Sequence, residues 1–494
     1  MKKNPQKQLC IVFFTVLLIQ MNSFASSSVE QAKNHFSEVN VGALPDNFLG
    51  LIPNPRNVIV AGLNKNKEQC LTINGKEEPG FDGIAGDSVI FSQDNEHLAY
   101  IAKKGEELFV VNDGKVSQAY SGIGQGTLAM SPNGKRITFA AAEDDKWRLV
   151  VDGKEDPLYD VIGGTPVFSP DSAHLAYAAQ KEGKWFAVVD GQAGPQFDGI
   201  GALTYSADSA QLAYVAKQGE KYCVVRNGVV SKEFDEFGGM IFSPDGKHFA
   251  YISMIGDKWL CFVDDEPARE YGLIIEGSLV YSPDSKRLAY IISRNNNLFV
   301  VVDNEPGPEM EAIGTLPIFS PNSSHIAYIA RTEGKQVVVL DQKVEPEYDG
   351  IGNNSLIFSS DGEHCAYAVK AGEKWQVVVD GKAGKGYDQV GGLTFSPNGV
   401  KLAHIGSNEG KFSMVVNGSD KGKYDAILSA PVFTPDGAHM AFLAQEGNQC
   451  FMVTDDQEGT RYQKIICGIE VSDEGGFEAA ALRDRVIYRV TWKP

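Results

Sequence analysis

Apolar residues in this chain come in short runs broken by polar turns, with no sustained helical spacing. Residues 165–200 show the pattern. Thr165 to Ser169 is a short apolar run. Pro170-Asp171-Ser172 predicts a turn, because proline fixes φ and an aspartate side chain bonds its own backbone. His174 to Ala179 predicts a second strand of small and aromatic residues. Lys181 to Lys184 is a polar hairpin loop. Trp185 to Val189 predicts a third strand, since aromatic and β-branched residues suit a pleated surface. Asp190-Gly191 is a two-residue turn of the kind that joins antiparallel strands. A fourth strand runs past Phe197-Asp198-Gly199-Ile200 into the next segment.

The segment is a repeat. Phe168-Ser-Pro-Asp-Ser-Ala-His-Leu-Ala-Tyr177 returns as Phe242-Ser-Pro-Asp-Gly-Lys-His-Phe-Ala-Tyr251. Further copies start at Tyr281, Phe319, Phe358, Phe395 and Phe433. Earlier ones start at Phe91, Met130 and Tyr205, with a degenerate first copy at Leu51. Successive starts lie 37 to 40 residues apart. Four antiparallel strands in about 38 residues make one β-propeller blade. One such sheet cannot bury both faces alone, so blades stack. The knobs are a first aromatic set (Trp147, Trp185, Tyr222, Trp259, Trp375, Phe412) and a second (Tyr159, Phe197, Phe234, Tyr271, Tyr348, Tyr387, Tyr424, Tyr462).

The C-terminus predicts three strands, around Ile469, from Phe477 to Leu482 and from Val486 to Trp492. The segment between Val39 and Leu49 is placed to add the missing fourth, because closing a ring removes exposed sheet edges. The fold class is therefore all-β, a propeller of about 12 four-stranded blades. Rings usually hold roughly four to eight, so two six-bladed propellers in tandem are expected, with one large closed ring as the alternative. The expected organisation is a signal peptide over 1–25, an N-terminal segment over 26–50 supplying the closing strand, and blade sets over 51–278 and 279–494. The boundary is drawn where Asp264-Asp265 and Asp303-Asn304 replace the Asp-Gly turn.

The Phe-Ser-Pro-Asp-Gly-x-x-x-Ala-Tyr pattern with its following apolar strand and Asp-Gly turn resembles the WD40-like repeat of the TolB type, over roughly residues 51–470. The TolB family carries six such repeats behind a separate N-terminal domain, whereas barely 25 residues separate leader and first copy here. The resemblance implies a propeller outside the cytoplasm used for protein contacts. It implies no catalytic residues.

Composition narrows the function. Lys2, Lys3 and Lys7 precede an apolar run from Leu9 to Leu18, and Ser23-Phe24-Ala25 offers a cleavage site before Ser26; this is the form of a secretory signal. The run is short for a membrane span. Of 45 basic and 64 acidic residues, cleavage removes three lysines, so 42 − 64 leaves a mature charge of −22. That charge disfavours nucleic acid and anionic lipid. Six cysteines remain, Cys70, Cys223, Cys261, Cys365, Cys450 and Cys467, without CxxC pairing, which argues against a zinc framework. Cys70, Cys223, Cys261 and Cys450 all fall in one repeated strand, where other copies carry Phe, Val or Leu, and read as small buried hydrophobes.

Candidate chemistry dissolves into the repeat. His97, His174, His248, His325, His364 and His439 share an offset that also holds Arg136, Gln211, Arg287 and Lys401, so they read as strand starts. His404 replaces the repeat tyrosine and reads as packing; His35 carries no motif. Asp82, Asp160, Asp198, Asp235, Asp349, Asp388 and Asp425 read as turn caps, with an axial ring of cation-binding acids as the alternative. The charged hairpin loops (residues 103–107, 143–146, 181–184 and 409–411) mark a rim where a partner is expected. The residues that break the repeat are Arg226, Arg269 and Arg294-Asn-Asn-Asn297. No serine-hydrolase elbow, P-loop or zincin motif occurs. The expectation is an exported, non-catalytic scaffold, periplasmic or secreted, that binds a protein or peptide partner. No catalytic, metal or cofactor residue is assigned. The alternatives are a glycan-active enzyme or lectin, and a self-assembling surface protein.

Overall fold

Each repeat folds as its turns dictate. In the fourth blade, Val161–Phe168, Leu175–Lys181, Lys184–Val189 and Gln192–Ala193 pair antiparallel in that order. Asp190 and Gly191 sit at φ 49° and 78°, the left-handed conformations that a tight turn needs to match strand twist. The fourth strand continues to a bridge between Phe197 and Trp185, which sets the two recurrent aromatics side by side.

The computed structural model describes residues 35–44, 48–52, 54, 57–472 and 474–494. The leader assigned to residues 1–25 lies outside them. The described residues form twelve antiparallel sheets, here numbered blades 1 to 12 along the chain, and apart from a single turn of 3₁₀-helix at Gly86–Ser88 every regular element is a strand. In six sheets the first strand is split in two, as at Gly199–Ile200 and Thr204–Tyr205. Where the first strand breaks, a hydroxyl often takes over. Ser88, Thr127, Ser278, Thr315, Ser355 and Ser429 accept the second-strand N–H of Ile101, Ala140, Ile291, Ile329, Ala368 and Leu443 at 2.8–3.1 Å. A buried N–H left without that acceptor would cost about 1–3 kcal/mol.

The packing between blades follows from the Leu-Ala-Tyr sequence of the second strand. Neighbouring strand residues point to opposite faces, so the alanine faces one adjoining blade and the tyrosine the other. Ala176 packs with Tyr214 of the next blade, Ala213 with Tyr251, Ala250 with Tyr290, and Ala289 with Tyr328. Each alanine leaves the depth that the next aromatic ring fills.

These clusters run from blade to blade without a gap, and the last returns to the first: Val58 and Val60 of blade 1 pack with Ala480 and Ile487 of blade 12. The twelve blades therefore close as one ring, the alternative in the sequence reading, and not as two six-bladed propellers. Two propellers would send blade 6 back to blade 1. Instead Ala250, Ile252 and Cys261 of blade 6 pack with Tyr290 and Val301 of blade 7. The unusual Asp264-Asp265 and Asp303-Asn304 lie in turns, and turn residues do not alter the interlocking faces.

Blade 12 is composite. Lys464–Val471, Phe477–Arg483 and Val486–Trp492 come from the C-terminus, and Phe36–Ala43 pairs antiparallel with Val486–Trp492 as the fourth strand.

Candidate functional site

Most polar side chains of the repeat are committed to holding turns. In blade 4, Ser169 Oγ donates to Asp171 Oδ1 at 2.5 Å and accepts the His174 N–H at 2.9 Å. Asp190 Oδ1 accepts the Leu175 N–H at 3.0 Å, and its Oδ2 lies 2.7 Å from His174 Nδ1. All six offset histidines meet the aspartate of the following turn at 2.5–2.8 Å. Arg136 and Arg287 take the same role with Asp152 and Asp303.

The exceptions change both members. Asn227 and Asn417 still accept the N–H of Leu212 and Leu402, but their partners are Gln211 and Lys401, which reach Gly246 O and Ala438 O. In blade 1 the pair is Asn57 and Asn74. Histidine and arginine thus go with aspartate, and glutamine, lysine and asparagine with asparagine. Hydrogen bonding to Asp380 raises the His364 pKa above its ordinary value.

The recurrent connection acids bond the hairpin of the blade that follows. Asp160 accepts the Glu182 N–H at 2.7 Å and Lys146 Nζ at 2.6 Å. Asp198, Asp235, Asp349 and Asp425 repeat this with Gly219, Gly256, Gly372 and Gly447, Asp388 with Glu409, and Asp82 with Gly105. Lysine hydrogen bonds lower the pKa of Asp160, Asp198, Asp235, Asp349, Asp388 and Asp425. These acids are engaged around the ring and do not converge as an axial set; among the described residues no group of His, Cys, Asp and Glu is placed to hold a metal.

The repeat-breaking residues scatter. Arg226 pairs with Asp265 and lies over the Phe249 ring. Arg269 reaches Asn304 O, and Arg294 lies over Phe299 at the opposite end of its blade. His35 bonds Lys493 O. Among the described residues the six cysteines are free thiols. Burial pushes Cys261 and Cys365 up to about 12.

The cavities open between blades at the rim that carries the Ser-Pro-Asp and Asp-Gly turns, opposite the charged hairpins where sequence placed a partner. Between blades 6 and 7 a cavity of about 690 Å³ is lined by His248, Pro267, Tyr281 and Asn304. Between blades 5 and 6 one of about 480 Å³ runs beside Arg226, Val229, Val230 and Asp265. Between blades 9 and 10 the cavity is about 340 Å³ and contains His404.

The last differs in origin. Between blades 3 and 4 the same place is filled, with the Tyr177 hydroxyl donating to Asp156 Oδ2 at 2.8 Å. At blades 9 and 10 Gly384 stands where Asp156 does, and His404 where Tyr177 does. The fully buried apolar contact there shrinks to Ala366, Val377 and Leu402. His404 packs edge-on against Tyr387, whose hydroxyl donates to Asp420 at 2.6 Å; Lys385 pairs with the same Asp420. Sequence reading took His404 as packing and passed over Gly384. The signal was the loss of the repeat tyrosine opposite a glycine, a residue this position also carries as Gly194, Gly307 and Gly459.

No protein-family model matches the chain, and no curated protein matches it. Among solved structures, one described as "Crystal structure of the eukaryotic initiation factor" is similar at 12% identity and TM-score 0.35, covering 69% of this chain and 96% of that one. Another, "Structure of Dos1 propeller", is similar at 12% identity and TM-score 0.30, covering 60% and 94%. The blades and their closure define the class: an all-β, twelve-bladed β-propeller. Among the described residues no helix is long and apolar enough to cross a membrane.

Proposed function

We propose that this protein is an exported, non-catalytic propeller scaffold that binds a protein or peptide partner in the cell envelope. The leader-like N-terminus and the TolB-type repeat support export. The absence of a gathered polar set around Arg226, Arg269 and Arg294 favours a scaffold over a glycan-active enzyme or lectin.

One observation carries the reading. At two successive interfaces the turn rim opens into grooves of about 480 and 690 Å³. Beside the first lies the exposed sheet edge Val229–Val230, with Val229 72% exposed. Apolar side chains at an unpaired edge, next to charged pairs, suit an extended segment that adds main-chain hydrogen bonds and inserts side chains.

The test is site-specific photocrosslinking of the mature chain in its envelope extract. A probe at Val230 is expected to give a discrete adduct that Val229→Glu abolishes, and a probe at Glu182 on the hairpin rim none. Equal labelling from both rims, or none from Val230, overturns the proposal. Sequencing the mature N-terminus tests export, with Ser26 expected first.

A further inference from the structure

The cavity between blades 9 and 10 is a place from which the repeat's own phenol has been removed. Tyrosine or phenylalanine occupies the His404 position in blades 2 to 9 and in blade 11, as Tyr100, Phe139, Tyr177 and Phe442 illustrate. Tyr177 is 2% exposed, so its ring fills the space completely. An imidazole is shorter, and Gly384 has no side chain to compensate. Val377, Val379, Phe395 and Leu402 form the apolar part of the cavity wall. At about 340 Å³ the space suits one side chain or one small ring, since pockets for larger ligands run to about 1,000 Å³.

His404 is a buried polar group of this lining, which also holds Tyr387 and, toward the opening, His364, Asp380, Lys385 and Asn417. His404 is 5% exposed and lines the cavity. Its ring contacts Ile405 O through Nδ1 at 3.4 Å. Burial pushes its pKa below the ordinary histidine value, so the ring is neutral near pH 7. With the proton on Nδ1, the side facing that carbonyl, Nε2 carries a lone pair and accepts a hydrogen bond.

We propose that this cavity binds a phenol, its ring between Val379, Phe395 and Leu402 and its hydroxyl donating to Nε2 of His404. A tyrosine side chain of a partner peptide and a free phenolic compound share this chemistry; the tyrosine source rests on the scaffold reading above, the cavity does not.

Calorimetric titration of the mature protein tests this with p-cresol and its methyl ether, and with N-acetyltyrosinamide and its phenylalanine counterpart. Each phenol is expected to bind at least tenfold more tightly than its partner lacking the hydroxyl, because a site arranged to bond a hydroxyl rejects its absence. Two variants use residues the repeat already accepts. His404→Phe, with a side chain found in blades 3 and 11, is expected to remove that tenfold preference. Gly384→Asp with His404→Tyr refills the space as in blades 3 and 4 and is expected to abolish binding while the protein stays folded. The backbone bond is the same at both places, Gly384 N–H to Val377 O at 2.9 Å and Asp156 N–H to Leu149 O at 2.8 Å; a Cβ at Gly384 would lie 3.2 Å from Val377 O, so a small backbone shift accompanies the substitution. Binding of p-cresol without the tyrosine amide supports the cavity and assigns it to a free phenolic. Equal binding of phenol and ether, binding retained in the refilled variant, or no binding of either phenol overturns the proposal. Photocrosslinking at Val230 tests the partner reading independently.

Discussion

Arg483 donates to Glu38 Oε1 at 2.6 Å across 445 positions of sequence, and the Tyr462 hydroxyl donates to Oε2 of the same carboxylate at 2.6 Å. Glu38 lies on the N-terminal strand of the composite blade, so this contact joins the two ends of the chain where the ring shuts. A ring with an open seam leaves a strand edge free to pair with another chain.

Removing that carboxylate is expected to loosen the seam. Burial raises the Glu38 pKa, but the bonds from Arg483 and Tyr462 outweigh it, and the net pKa is lowered from 4.5. A lowered carboxylate adds stability above the unfolded value and loses it as pH falls through the folded one. Glu38→Gln is expected to cost about 1 kcal/mol at pH 7, a charged hydrogen bond discounted for partial exposure, and less at pH 3. Urea denaturation at the two pH values measures the difference; an equal loss at both would contradict it.

Overpacking tests the single ring. Ala250→Leu drives a larger side chain into Tyr290 across the interface of blades 6 and 7, and Ala289→Leu does the same to Tyr328 one interface on. Each is expected to cost about 1–3 kcal/mol, by similar amounts and in one unfolding transition. If blades 6 and 7 were a domain border, Ala250→Leu would be nearly silent.

The histidine–aspartate belt separates geometry from charge. Asp341 Oδ1 accepts the Ile326 N–H at 3.0 Å and Oδ2 meets His325 Nδ1 at 2.6 Å. Asp341→Asn keeps the first bond, as Asn227 and Asn417 do in their blades, and is expected to cost less than about 1 kcal/mol. Asp341→Ala loses the cap at a left-handed residue, φ 48°, and is expected to cost about 1–2 kcal/mol. Thermal midpoints of both variants rank them.

His404 makes the protein acid-sensitive. Its folded pKa lies below 6.5 through burial, so on acidification the unfolded chain takes up the proton first. Stability therefore falls as pH drops below about 6.5. His364 acts in the opposite sense: its raised pKa adds stability at low pH that is lost as pH rises through the folded value. Comparing wild type with His404→Phe from pH 7.5 to 5 is expected to show the difference in unfolding free energy shift toward the variant as pH falls.

The repeat, its strands and its turns were legible because each is set by residues within about 38 positions of one another: Pro170-Asp171, Asp190-Gly191 and the alternation of Leu-Ala-Tyr. The roles of the histidines and connection acids as local supports were legible too, since a position that tolerates His, Arg, Gln and Lys has no single chemistry. His404 and Gly384 were not recognised as a site, because they stand 20 residues apart in sequence and only stacking of blade 9 on blade 10 sets them around one cavity.

By itself the sequence determined the blade, its number of copies and the residues that cap each turn, since these depend on contacts within a strand or between neighbouring strands. Tertiary structure decided that twelve blades form one ring and where the cavities open. Both depend on the angle at which one sheet rests on the next, which is the sum of many side-chain contacts between Ala and Tyr faces, and no single repeat encodes that sum.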